Sequence, residues 1–95
     1  MTDRSTQHKG ETDWKAFRTL LNEQMDWPGQ YLFKFIVPRK ELAAMEAVFA
    51  GSKPIVRASS KGNYVSVTAR IDVANVDDVI AIYEAANAIP GVIAL

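Results

Sequence analysis

Ser59-Ser60-Lys61-Gly62-Asn63-Tyr64-Val65-Ser66-Val67-Thr68 runs from a tight turn straight into a strand. Lys61-Gly62-Asn63 lies between two extended segments, and glycine and asparagine take positive φ most readily, so the spacing predicts a β-hairpin. The strand continues to Val73. Val65, Val67, Ala69, Ile71 and Val73 fall on one face; Tyr64, Ser66, Thr68, Arg70 and Asp72 fall on the other. An apolar face backed by a polar one means a sheet covered on one side and open on the other.

Upstream of the turn, Pro54 to Ser60 reads as a short strand, and its proline and Arg57 suit a sheet edge. Before it, Leu42, Met45, Val48 and Phe49 mark the buried stripe of a helix from about Arg39 to Ala50. Pro38 suits its first turn and Gly51 its stop. Gln30 to Val37 is rich in aromatic and β-branched residues and predicts a strand. Tyr31, Phe33 and Phe35 should meet the helices; Leu32, Lys34 and Ile36 should face outward.

Downstream, Asn75 caps a second helix, with Asp77 and Asp78 at the positive end of its dipole. Val76, Val79, Ile80, Tyr83 and Ala86 form its buried stripe. Ile89-Pro90-Gly91 ends it, and Gly91 to Leu95 makes a last short strand. At the other end of the chain, Trp14, Phe17, Leu20, Leu21 and Met25 recur at helical spacing from Asp13 to Met25, with Thr12 or Asp13 as N-cap and Trp27-Pro28-Gly29 as stop. This helix should cap the core.

The order is an N-terminal helix followed by β-α-β-β-α-β. It predicts an α+β, ferredoxin-like fold: a four-stranded antiparallel sheet with two helices on one face. Right-handed crossovers place the first and third strands in its centre. The expected organisation is a disordered tail over 1–12, a helical extension over 13–27 and the ferredoxin-like domain over 28–95.

Ninety-five residues make one domain. The chain has no cysteine, which removes disulfides, thiolate nucleophiles and cysteine-based zinc sites. His8, the one histidine, lies in the polar tail without neighbours to tune it or complete a metal site. No base stands at an identifiable spacing from Ser59 or Ser60, so no catalytic residue, metal site or cofactor is expected, and the chain does not read as an enzyme. The longest apolar run, Leu42 to Ala50, is about half a membrane span and is broken by Glu46. With no apolar signal core at the N-terminus, the expectation is a cytoplasmic protein that does not engage membranes.

Net charge is zero, but unevenly distributed. Lys34 to Arg70 holds seven basic residues against Glu41 and Glu46, a balance of +5; Ile71 to Leu95 holds Asp72, Asp77, Asp78 and Glu84, a balance of −4. This predicts a basic side and an acidic side, or simply solvated charge on exposed faces.

The segment Ser59-Ser60-Lys61-Gly62-Asn63-Tyr64 followed by Val65-Ser66-Val67 resembles the YbeD-like family of small bacterial proteins of unknown function. Pro28 followed by Tyr31-Leu32-Phe33-Lys34, and Ile82-Tyr83 in the last helix, fit as well. The resemblance spans roughly Asp26 to Leu95, and the N-terminal extension with Trp14 and the Pro38-Arg39 helix start depart from it. It implies a fold similar to ACT regulatory domains, which often bind amino acids at dimer interfaces beside a glycine-containing turn. At that turn this chain reads Val37-Pro38-Arg39.

Three functional readings follow. The first is a regulatory or interaction module that meets a protein partner, or a second copy as a dimer, through the open sheet face at Leu32, Lys34, Ile36, Tyr64 and Thr68. The second is a sensor whose turn, Ser59, Ser60, Lys61, Gly62, Asn63 and Tyr64, binds a small anion or metabolite with backbone N–H groups, hydroxyls and one ammonium. Turn geometry alone accounts for Gly62 and Asn63 equally well. The third, least favoured, is an RNA-binding module. Domains of that kind share this topology but show several stacking aromatics on the open face, where this chain offers only Tyr64.

Overall fold

The computed structural model describes residues 14–59 and 61–95. The expected tail, with His8 and the N-cap candidates Thr12 and Asp13, lies outside them, as does Ser60. In chain order the elements are α1 (Trp14–Gln24), β1 (Gly29–Pro38), a 3₁₀ turn (Arg39–Glu41), α2 (Leu42–Val48), β2 (Ile55–Ala58), β3 (Tyr64–Val73), α3 (Val76–Asn87) and β4 (Ile93–Ala94). The strands form one antiparallel sheet in the order β2-β3-β1-β4. This is the expected α+β, ferredoxin-like arrangement, with the two longest strands in the centre.

The β1–β3 register runs in unbroken pairs from Gly29 opposite Val73 to Pro38 opposite Tyr64. Because side chains alternate, one face collects Phe33, Phe35 and Val37 from β1 with Val65, Val67, Ala69 and Val73 from β3, all buried. Met45 and Phe49 close over this layer from the first crossover, and Val76, Val79, Ile80 and Ala86 from α3. Every fully buried side chain among the described residues is apolar.

α3 begins as expected. Asn75 Oδ1 accepts the Asp78 N–H at 3.2 Å, and Asp78 Oδ2 accepts the Ala74 N–H at 2.7 Å, so two otherwise orphaned donors are satisfied reciprocally. α1 caps the aromatic end of the core. Tyr83 of α3 is ringed by Trp14, Phe17, Tyr31, Phe33 and Phe35, with centroid distances from 5.3 to 6.3 Å. Most of these contacts are edge-on, the geometry that ring quadrupoles favour. Arg18 of α1 pairs with Asp77 of α3, and the Trp27 Nε1–H donates to Asn22 Oδ1 at 2.8 Å.

Several boundaries differ from the sequence reading, among them the last strand, which is Ile93–Ala94 and not Gly91–Leu95. Pro38 does not open a helix; it is the last residue of β1, opposite Tyr64. The next N–H, from Arg39, donates across to the Asn63 carbonyl at 2.9 Å, so a contact 24 residues away holds the chain at the sheet before it turns. The turn Arg39–Glu41 is then 3₁₀, and α2 proper occupies only Leu42–Val48. β2 stops at Ala58 because Ser59 is drawn into the hairpin turn.

Candidate functional site

Two places bring together the residues singled out by the sequence: the β2–β3 turn and the open face of the sheet.

At the turn, Gly62 sits at φ 77°, where a side chain would be strained. Its N–H donates to the Ser59 carbonyl at 3.0 Å and lies 3.1 Å from Ser59 Oγ, which also accepts the Tyr64 N–H at 3.4 Å. The Ser59 N–H in turn donates to the Tyr64 carbonyl at 2.9 Å. Arg39, which no local pattern connects to this loop, donates from Nε to the Gly62 carbonyl at 2.6 Å. The turn is thus stitched together by its own hydroxyl and by one arginine. Beside it, Pro38, Arg39, Lys40, Gly62, Asn63 and Tyr64 line an open cleft of about 550 Å³. Lys61 is exposed and Ser60 lies outside the described residues.

The open face is built by register. Across the four strands, Ile55 of β2 stands opposite Thr68 of β3, Thr68 opposite Lys34 of β1, and the Lys34 carbonyl accepts the Leu95 N–H at 2.9 Å. The next row holds Arg57, Ser66, Ile36 and Ile93. Leu32 pairs with Arg70 on one side of these rows, and Tyr64 with Pro38 on the other. The structure therefore gathers the sequence-predicted Leu32, Lys34, Ile36, Tyr64 and Thr68 on one surface.

That surface also contains residues the sequence did not place there. Ile55, Arg57, Ile93 and Leu95 arrive on it from the edge strands, which are too short to show a period of their own. Leu32 is 51% exposed, Ile55 60%, Ile93 50% and Leu95 62%, a concentration of bare aliphatic area that a solvated sheet face does not need. All three helices pack on the other side, so nothing in the described chain covers it.

Of the seven basic residues of the middle segment, Lys34, Arg57 and Arg70 reach the open face, while Arg39, Lys40, Lys53 and Lys61 are exposed in turns and loops. The open face presents Lys34, Arg57 and Arg70 against Asp72, while α3 presents Asp77, Asp78 and Glu84 to solvent on the helix side. Among the described residues Arg18–Asp77 is the one salt bridge, so the three cations of the open face have no carboxylate partner there. One tyrosine is electrostatically perturbed. Burial, aided by Tyr31, whose hydroxyl lies 3.3 Å away, raises the Tyr83 hydroxyl well above the ordinary tyrosine range. Among the described residues no three acidic, histidine or cysteine side chains converge as a metal site, and no helix is long and apolar enough to cross a membrane.

A small ferredoxin-like domain with one covered and one apolar, basic sheet face is what the fold and surface define. The chain belongs to the family described as Protein of unknown function (DUF493), whose model matches residues 22–95. It is similar to a UPF0250 protein of Shewanella putrefaciens strain CN-32, with 33% identity over 81 residues that cover 78% of this chain and 92% of the relative. The resemblance to YbeD-like proteins carried by the Ser59–Val67 segment is thereby confirmed. The match begins at Asn22, so most of α1, with Trp14 and Phe17, lies ahead of it. No solved structure gives a significant match.

Proposed function

We propose that this protein is a non-catalytic interaction module that binds a protein partner through the open face of its sheet. The observation carrying this reading is the exposed aliphatic set Leu32, Ile55, Ile93 and Leu95, brought together from three strands on a face with no helix over it. Specific interfaces form where such area is buried against a complementary surface. The non-catalytic part is supported by Tyr83. Its hydroxyl is raised by burial, a shift that moves it away from use as a nucleophile or base at neutral pH.

The test is a photo-crosslinking residue placed at position 32 or 55, with position 81 on the outer side of α3 as control. A single adduct of the same mass from both sheet positions and none from position 81 supports the module. Equal labelling at all three, or none at any, removes it.

A second reading has its own observation. The cleft beside the turn brings Arg39, Lys40 and Tyr64 together around a space large enough for a small anion or metabolite. The backbone donors of Gly62 and Tyr64 already bond Ser59, so a ligand there would rely on the side chains. A thermal-unfolding screen with phosphate, nucleotides, organic acids and amino acids tests it; a ligand at 100 times its Kd adds about 2.7 kcal/mol, several degrees in a domain this small.

A further inference from the structure

Resting on the sheet-face reading, we propose that the partner offers an acidic amphipathic helix, a stripe of aliphatic side chains flanked by carboxylates, and not a second copy of this chain. The cations are embedded in the apolar surface. Lys34 stands between Leu32 and Ile36 along β1 and beside Leu95; Arg70 is opposite Leu32, and Arg57 shares the row of Ile36 and Ile93. Against three cations the face offers one side-chain carboxylate, Asp72, a local side-chain balance of 3 − 1 = +2. An occupant that covers the aliphatics must also cover these charges, and one carrying carboxylates beside its apolar stripe compensates them.

The same placement argues against the other occupants. Two copies stacked face to face about a two-fold axis would bring two faces of the same net positive sign together. A bilayer would take the aliphatics into hydrocarbon, but Lys34 is in their midst and not at a rim from which it reaches the headgroups. A single-stranded nucleic acid would find one aromatic, Tyr64, at one end of the face.

The shape of the surface fits a helix. Ser66 and Thr68, small and half-buried, run down β3 between Ile55 and Arg57 on one side and Lys34 and Ile36 on the other. A helix about 10 Å across spans roughly two strand spacings of about 4.8 Å, the distance from β2 to β1. Its docking would complete a helix–sheet–helix sandwich of the kind that buries both faces of a sheet.

The experiment titrates the ¹⁵N-labelled full chain with three 18-residue helical peptides that share one leucine stripe and differ only in flanking residues: glutamate, glutamine or lysine. The glutamate peptide is expected to bind with amide shifts confined to Leu32–Ile36 and Ser66–Arg70, more weakly as salt rises. The lysine peptide should not bind. The Lys34→Glu/Arg70→Glu variant, whose unchanged spectral dispersion certifies its fold, should bind the glutamate peptide about tenfold more weakly, as the loss of two exposed ion pairs and the like-charge repulsion that replaces them imply.

Equal binding of the glutamine and glutamate peptides overturns the acidic partner and leaves the sheet-face module standing. Shifts on the helix side, or none with any peptide, remove both. Phosphatidylglycerol vesicles or an oligouridylate that bind more tightly than the glutamate peptide, and lose that binding in the same variant, overturn the proposal in favour of a membrane or nucleic-acid surface.

Discussion

β1 and β3 contribute equally to two faces that have little in common. Towards the helices, Phe33, Phe35 and Val37 alternate with nothing polar and are wholly buried; towards solvent, Leu32 and Ile36 alternate with Lys34, and Ser66 and Thr68 with Arg70. The inner face has its partners within the chain. Among the described residues the outer face has no such partners, yet it is not the uniformly polar surface that solubility alone would select. The difference separates what holds the domain together from what is available to something else. Inner-face substitutions should register in stability and outer-face substitutions in association.

The largest effect belongs to the inner face. Phe33→Ala, which removes a fully buried ring touching Phe35, Phe49 and Tyr83, should cost about 3–5 kcal/mol in chemical denaturation. A loss under 1 kcal/mol would mean that the two faces do not divide labour in this way.

Next comes the junction that delivers β4 to the outer face. Gly91 lies at φ 78°, and a Cβ there would stand 2.8 Å from Pro38 Cγ. Gly91→Ala should therefore cost about 2–3 kcal/mol, from the left-handed backbone and the contact together, measured the same way.

A smaller effect sits at the aromatic end of the core and depends on pH. Burial raises the Tyr83 ionisation in the folded state, so above the unfolded tyrosine value the unfolded chain gives up this proton first and is stabilised relative to the folded protein. The sign is fixed: this contribution is fully present below about pH 10 and is lost as pH rises through the folded-state value. Tyr83→Phe should flatten the alkaline loss of stability and delete the last step of an ultraviolet tyrosine titration. An unchanged alkaline profile would count against that assignment.

The smallest stability effect is expected from Leu32→Ala, within about 0.5 kcal/mol of the parent protein. Its consequence should appear instead as weaker capture of the partner in the crosslinking and titration experiments. A large destabilisation would show that the outer face is structural after all.

Much of this division is legible in the sequence, for a physical reason. β1 and β3 are ten residues long, enough for the period of two to declare itself, and the bounds Tyr64–Val73 are readable from alternation alone. Leu32, Lys34, Ile36, Tyr64 and Thr68 follow from the same alternation. Ile55 and Ile93 do not, because strands of four and two residues carry no period, and only the register assigns their faces. Arg39 is hidden for a different reason: its bonds to Asn63 and Gly62 close over more than twenty residues, and they hold Pro38 on the sheet where local chemistry would open a helix. Local preference yielded there to a tertiary hydrogen bond.

The brevity of β4 has a consequence for motion. This strand is fixed to β1 by two register pairs and by the Leu95 N–H, while β3, on the other side of β1, is fixed to it by ten. Its opening free energy should sit at the low end of the range across the fold, and its amides should exchange with solvent well before those of the central strands. Each opening takes Ile93 off the outer surface and bares one edge of β1. An occupant gripping Ile93 would hold that edge shut, so its arrival should be recorded as slowed hydrogen exchange at the end of the chain, a gauge of occupancy built into the weakest strand.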